Sequence, residues 1–300
     1  VMSKRVVIYG ASGFIGKGLA SLLSSEDWEV IGVSRKGSGK IDGVSSWTTP
    51  EKVDLAGCEA VINLSGEPVN QRWTEKKKRT FHNSRIGVTN RIVEKISNLT
   101  PEFRPKIFIN ASAVGYYGGC GDEILDERAS LGKGYLAELC GEWEKAALQA
   151  VPLGIRVLQF RIGVVLGRGG MAFEKLLTVF KLGIGGRLGN GKQWTPWIHV
   201  DDLRRAIMFA LHHPELHGAI NGTAPHPETN AALTQKFAKA VGRWVFFPIP
   251  GFILKLVFGG FGGALLEGQR AIPKQLLDAG FEFRFNSLEE ALEDLVTTRS

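Results

Sequence analysis

Short apolar runs alternate with longer amphipathic stretches through the first half of the chain. Arg5–Tyr9 is a β-rich run of the buried type. From Gly13 to Leu23 the apolar residues Phe14, Ile15, Leu19, Leu22 and Leu23 recur at helical spacing. Glu29–Val33, Ala60–Leu64, Lys106–Ala111 and Ile155–Phe160 are predicted as further strands. Thr74–Ile96 and Leu131–Ala150 are predicted as helices, the first of them highly charged. This alternation predicts an α/β fold, with a parallel sheet covered by helices on both faces.

The rhythm changes after about residue 165. Gly163–Gly191 is rich in glycine around one predicted helix, Phe173–Leu182. Trp197–Asp202 leads into a helix over Leu203–Leu211, with Asp201 or Asp202 as the expected cap. Gly218–Asn221 reads as a late strand, and Asn230 is expected to cap a helix running to Val241. Beyond Pro250 come two or three short helices, an apolar glycine-rich piece over Gly251–Leu266, and a closing helix over Ser287–Val296. The expected division is a nucleotide-binding core over 1–165, a region over 166–250 that completes the sheet and adds a lobe, and a helical segment over 251–300.

The chemistry begins at Gly10-Ala11-Ser12-Gly13-Phe14-Ile15-Gly16. This loop follows a strand and opens a helix, which is where a dinucleotide pyrophosphate meets free N–H groups. Gly10 allows the tight turn, Gly13 the approach of a phosphate, and Gly16 the packing of helix on strand. Such a site usually carries an acid about 20 residues later, on the ribose hydroxyls. Here that place holds Ser34-Arg35-Lys36 and no acid. A cation there favours a 2′-phosphate, so the expected cofactor is NADP(H). Asn63-Leu64-Ser65-Gly66 ends a strand where a bound dinucleotide crosses the sheet edge.

The net charge of +7 is spread along the chain. Its densest run, Glu75-Lys76-Lys77-Lys78-Arg79, reads as a solvated helix face, and no nucleic-acid-binding module accompanies it. Cys58, Cys120 and Cys140 form no CxxC pair, which argues for a reducing compartment. His199, His212, His213 and His217 lack a metal-site spacing. The first residues run directly into a strand without a leader pattern, and the apolar run Phe252–Phe258 is too short to span a bilayer. The expectation is a cytoplasmic protein with no membrane or nucleic-acid partner and a small-molecule substrate.

These motifs, with Asn110–Gly118, Arg161–Gly167 and Ile198–Asp202, resemble those of the extended short-chain dehydrogenase/reductase superfamily, the NAD-dependent epimerase/dehydratase group. Gly66-Glu67-Pro68, Arg72-Trp73-Thr74, Asn83-Ser84-Arg85, Trp197-Ile198-His199 and Gly268–Pro273 resemble a narrower, atypical branch, called epimerase-family proteins and sometimes cell-division-inhibitor-like. The resemblance covers essentially the whole chain. It implies a Rossmann, doubly wound parallel sheet with NADP(H) on its carboxyl edge and a small C-terminal substrate lobe. By the same match, Leu64, Ser65 and Gly66 line the adenosine side and Arg85 reaches the cofactor, with Glu67 and Ala111 also expected to bind it. Ser112 and the residues near Gly163 and Val164 then lie at the nicotinamide end. A homodimer is a further implication.

One departure bears on catalysis. The superfamily's acid/base is a Tyr followed four residues later by Lys, on one helical face. The residues four beyond Tyr9, Tyr116, Tyr117 and Tyr135 are Gly13, Cys120, Gly121 and Leu139. Two readings follow. The first is an oxidoreductase or epimerase in which Ser112 polarises the substrate oxygen and Tyr116 supplies the proton, with Tyr135 and Glu138 as other donors. The second is a non-catalytic NADP(H)-binding regulatory module. His199 is expected to hold the strand-to-helix turn rather than act as a base. Trp194 and Trp197 could cover a pocket or simply pack. Glu67 and Arg72 could face substrate or pair with each other.

Overall fold

The computed structural model describes residues 4–245 and 248–297. The reading of a leaderless start falls partly on residues 1–3, outside that range. The main sheet contains β1 (Arg5–Tyr9), β2 (Glu29–Val33), β3 (Ser46–Thr48), β4 (Ala60–Asn63), β5 (Ile107–Ala113), β6 (Arg156–Ile162) and β7 (Gly218–Gly222). Their order is β7-β6-β5-β4-β1-β2-β3, and every pairing is parallel. β3 is a three-residue edge strand of mixed polarity, too short to leave a periodic signal.

The strand order reverses at β1, which lies between β2 and β4. In an open parallel sheet the crevice for a ligand lies at that point, beyond the carboxyl ends of the strands. Alternate residues of β1 serve opposite faces. Val6 and Ile8 pack with Leu19, Leu23, Leu203 and Ile207, from α1 (Phe14–Ser24) and α6 (Val200–His212). Val7 and Tyr9 pack on the other face with Ile92, Ile96 and Ala147, from α3 (Val88–Ser97) and α4 (Tyr135–Leu148).

Several boundaries depart from the sequence reading. The predicted helix Thr74–Ile96 is α2 (Glu75–His82) and α3 joined by a π-helical turn over Asn83–Gly87. Helix α4 begins only at Tyr135, because Gly134 takes φ +97° and ends the approach loop. The cap of α6 is His199, whose Nδ1 accepts from the Asp201 N–H at 3.1 Å, and not Asp201 or Asp202. Asp202 instead accepts from the N–H groups of Arg284 and Phe285, tying the tail to the sheet. Thr229, not Asn230, caps α7 (Asn230–Ala240); the Asn230 side chain accepts from the Leu188 N–H.

The second half builds a separate small core. Phe173 and Phe180 of α5 (Met171–Lys181) pack with Phe237 of α7 and Leu292 of α11 (Leu288–Thr297). Trp197 is fully buried there. Between these elements run α8 (Gly251–Phe258), α9 (Gly260–Ala264) and α10 (Lys274–Asp278). Arg270–Ala271 pairs in parallel with Ile124–Leu125, which docks the tail beside the sheet. No helix among the described residues is long and apolar enough to cross a membrane.

Candidate functional site

The glycine loop has the geometry its spacing predicts. Gly10 takes φ +78°, a conformation costly for any residue with a Cβ. A Cβ on Gly16 would lie 2.4 Å from the Gly10 carbonyl oxygen and 2.8 Å from the Ala11 Cα, so α1 meets β1 only through a glycine. Gly13 stands at the helix N-cap with no side chain bonded to the first turn. Ser12 is exposed and also makes no side-chain hydrogen bond among the described residues. The first turn of α1 is thus uncapped by protein, as an anion site requires.

Across the switch point, Gly10 N–H donates to Val33 at the end of β2. The chain then turns through Ser34, whose hydroxyl bonds the Ser38 backbone. Arg35 and Lys36 are exposed on this turn, and neither has a partner among the described residues. On the other side, Leu64 N–H donates to Tyr9, and the Asn63 side chain holds the Ser65 N–H at 3.1 Å. Asn63 is itself fixed by Asn110 at 2.8 Å and Thr89 at 3.1 Å, and Trp143 donates to Thr89. This buried, satisfied network sets where the backbone of Leu64–Gly66 lies.

A cavity of about 470 Å³ opens at the carboxyl ends of β4, β5 and β6. Of the residues singled out by sequence, Ile15, Leu64, Ser65, Gly66, Arg85, Ala111, Ser112 and Val164 line it. Arg85 is carried there by the π-helical turn, a distortion common at functional positions. It donates to the Glu67 carbonyl at 2.9 Å and lies 5.1 Å from the Trp143 ring centre. Burial lowers its pKa from the ordinary value, against the pull of nearby Cys140, Tyr135 and Glu67. The Glu67 side chain is not in the lining, and it makes no bond to Arg72, which packs on Gly259 of the tail. Phe14 lies against the loop Gly167–Gly170, where a Cβ on either glycine would touch its ring.

Ser112, the penultimate residue of β5, is 3 % exposed, and its hydroxyl donates to Glu144 Oε1 at 2.7 Å. Arg161 holds both oxygens of that carboxylate at 2.9 Å. Its guanidinium also donates to the Tyr117 hydroxyl at 3.0 Å and the Glu127 carbonyl at 3.2 Å. Burial works against the Arg161 charge, but the Glu144 bonds outweigh it and push its pKa up. A serine has one hydroxyl proton, and here it is committed to Glu144. In this geometry Ser112 offers the cavity lone pairs, so the expected polarising bond to a substrate oxygen is not available.

The three expected proton donors lie in different surroundings. Tyr116 is outside the cavity lining; its ring sits 3.4 Å from the Arg161 guanidinium carbon, a cation–π contact that occupies its face. Glu138 faces a separate outer groove beside His82 and Glu142. Tyr135 lines both the cavity and that outer groove, and its buried hydroxyl has no hydrogen-bond partner among the described residues. Burial raises the Tyr135 pKa, with Arg85 opposing. The missing fourth residue, Leu139, is buried in the wall next to Cys140.

Some lining residues were given no site role by the sequence. Trp73 and Gln269 stood there only within family-branch motifs; Lys133, Trp73 and Trp143 flank the cavity, while Glu267 and Gln269 reach it from the tail. Arg204 of α6 also escaped notice: it donates to the carbonyls of Phe14 and Ile15 at 2.7 and 3.2 Å. Gly18 makes room for it, since a Cβ there would meet the guanidinium at 2.3 Å.

The sheet order, the glycine turn and the crevice define a nucleotide-binding protein of the Rossmann class. Residues 6–221 match the NAD dependent epimerase/dehydratase family, and residues 249–295 match a domain of unknown function, DUF1731. The chain belongs to the NAD-dependent epimerase/dehydratase family. It is 36 % identical to human epimerase family protein SDR39U1, with 97 % of this chain and 99 % of that one covered. It is 38 % identical to a chloroplastic homologue from Arabidopsis thaliana, covering 97 % of this chain and 86 % of that one. The crystal structure of the human protein (isoform 2) with NADPH superposes with a TM-score of 0.89 at 35 % identity, covering 98 % of this chain and all of that one.

Proposed function

We propose that this chain is an NADP(H)-dependent oxidoreductase acting on a small carbonyl or alcohol substrate. The observation that carries the reading is the unpartnered Arg35–Lys36 pair beside an uncapped glycine loop. The NADPH in the human relative's structure supports it. The residues present fit the cofactor, because the first turn of α1 has no side-chain cap and leaves its N–H groups for a pyrophosphate.

In this reading the N–H groups of Phe14 and Ile15 hold the pyrophosphate, with Gly10, Ser12, Gly13, whose own N–H donates to the Gly10 carbonyl at 2.9 Å, and Gly16 shaping the turn. Ser34, Arg35 and Lys36 hold the 2′-phosphate. Leu64, Ser65, Gly66 and Glu67 bound the adenosine side, and Arg85, Ala111 and Val164 the nicotinamide side. Bound there, the cofactor supplies or accepts a hydride. Ser112, with its proton given to Glu144, accepts a hydrogen bond from a substrate hydroxyl and orients it. Tyr135 holds a proton at its phenolic oxygen and exchanges it with the substrate oxygen. Glu144 and Arg161 are positioning residues that fix the Ser112 rotamer. The apolar walls, Trp73 and Leu139 among them, exclude water.

A second reading, a non-catalytic NADP(H)-binding module, is favoured by Leu139 standing where the superfamily has its Lys. Calorimetric titration of wild type and Arg35→Ala with NADPH and NADH tests the part both share. A charge-assisted bond to phosphate predicts an NADPH preference of about ten-fold or more that collapses in the variant. Equal affinity for both cofactors in the wild type overturns the assignment. Turnover of NADPH with a carbonyl panel then separates enzyme from module.

A further inference from the structure

One wall of the cavity is not used by the cofactor assignment. It is assembled on Gly118 and Gly119, just past the end of β5. Gly118 takes φ +63°, and a Cβ there would meet the Lys133 backbone at 2.7 and 2.9 Å. A Cβ on Gly119 would meet Glu267 Cγ at 3.3 Å. Gln269 Nε2 donates to the Gly118 carbonyl at 2.8 Å, and its amide oxygen has no donor among the described residues. The two glycines thus bring the approach loop of α4 and the C-terminal segment together on the cavity wall.

Lys133, Glu267 and Gln269 all line the cavity. Lys133 and Glu267 are exposed, and neither has an ion-pair or hydrogen-bond partner among the described residues. The cation and the acid do not pair with each other. A wall with one free ammonium and two free acceptors matches a ligand that carries an anion beside hydrogen-bond donors. The apolar part of the lining includes Trp73, Leu136 and Leu139. The whole space of about 470 Å³ also has to take a nicotinamide, which favours a small substrate.

We propose that the substrate is a small hydroxylated carboxylate, or its oxo form, selected by Lys133 at the carboxylate and by Glu267 and Gln269 at the hydroxyls. This rests on the oxidoreductase reading above. It makes the C-terminal segment a specificity element of the same site.

The test starts from protein saturated with NADP+, after its NADPH affinity has been measured alone. Glycerate, gluconate and propionate, with neutral glycerol and glucose, are titrated in, and Trp73 and Trp143 fluorescence is read. The hydroxy acids are expected to bind about ten-fold or more tightly than the neutral compounds. Lys133→Gln is expected to remove that preference and leave NADPH affinity within about two-fold. Glu267→Gln is expected to weaken glycerate and gluconate and to leave propionate unchanged. The proposal is overturned by equal binding of acids and neutral compounds, or by no acid binding below about 10 mM. A loss of NADPH affinity in Lys133→Gln also overturns it, since Lys133 would then serve the cofactor. Failure of the first titration would instead remove the reading beneath it, before any acid is added.

Discussion

Replacing Glu144 by Gln probes the buried support under Ser112. Glu144 and Arg161 are 5 % and 4 % exposed. The carboxylate takes two guanidinium bonds at 2.9 Å and the Ser112 hydroxyl at 2.7 Å. The isosteric amide keeps one oxygen and turns an N–H₂ toward the guanidinium. It leaves Arg161 as a buried charge without a counter-ion. Removing one partner of such a pair costs about 3–5 kcal/mol. The retained oxygen places Glu144→Gln near the lower end, about 3 kcal/mol. For a chain of 300 residues, at about 2.1 cal/mol/K of unfolding entropy per residue, that lowers Tm by about 5 °C. Ser112→Ala removes only one donor and should cost about 1 kcal/mol. Arg161→Met should cost more than Glu144→Gln, because the Tyr117 hydroxyl and the Glu127 carbonyl also lose their donor. Thermal and urea melts of the three variants give the order directly. A Glu144→Gln protein melting within about 2 °C of wild type would refute the reasoning, since it would mean the pair is solvated.

Other outcomes follow from the same geometry. Tyr135→Phe removes a hydroxyl with no partner, so its stability should stay within about 0.5 kcal/mol of wild type. Turnover of any substrate found in the carbonyl panel should fall about 100-fold or more; unchanged turnover would exclude Tyr135 as the proton donor. On the alkaline side, burial pushes the Cys140 thiol from 9.0 up to about 12 and the Tyr117 hydroxyl from 10.0 up to about 12. Both groups are neutral when protonated, so the unfolded chain releases these protons first. Stability should be intact below about pH 9 and decline as pH rises from there toward 12. Burial also raises the Cys58 and Cys120 thiols, so urea melts across that range should show a shallower decline in Cys140→Ala with its onset still near pH 9; a decline unchanged in that variant would assign the loss to other groups.

The sheet and the cofactor turn were legible in the sequence because their causes are local. Arg5–Tyr9 and Ala60–Asn63 are apolar on both faces, as central parallel strands must be. Gly10 and Gly16 are required by one backbone dihedral and one close approach, both within seven residues. Arg35 follows its strand by two residues, so its place at the switch point comes with the topology.

The substrate side was decided only in three dimensions. Lys133 and Tyr135 do not share a helical face, yet the loop at Gly134 brings both to one cavity. Glu267 and Gln269 lie some 150 residues beyond Gly118 in sequence, and only the tail's pairing on Ile124–Leu125 draws them beside it. Tyr116 and Ser112 show the same limit in reverse. Both stand where a strand-end motif would place catalytic groups. Arg161 covers the ring of the first, and Glu144 takes the proton of the second. A sequence states which groups are available and what each stretch of backbone prefers. Which proton is already committed, and which charge is left without a partner, depends on contacts between distant segments that only the packed fold brings into being.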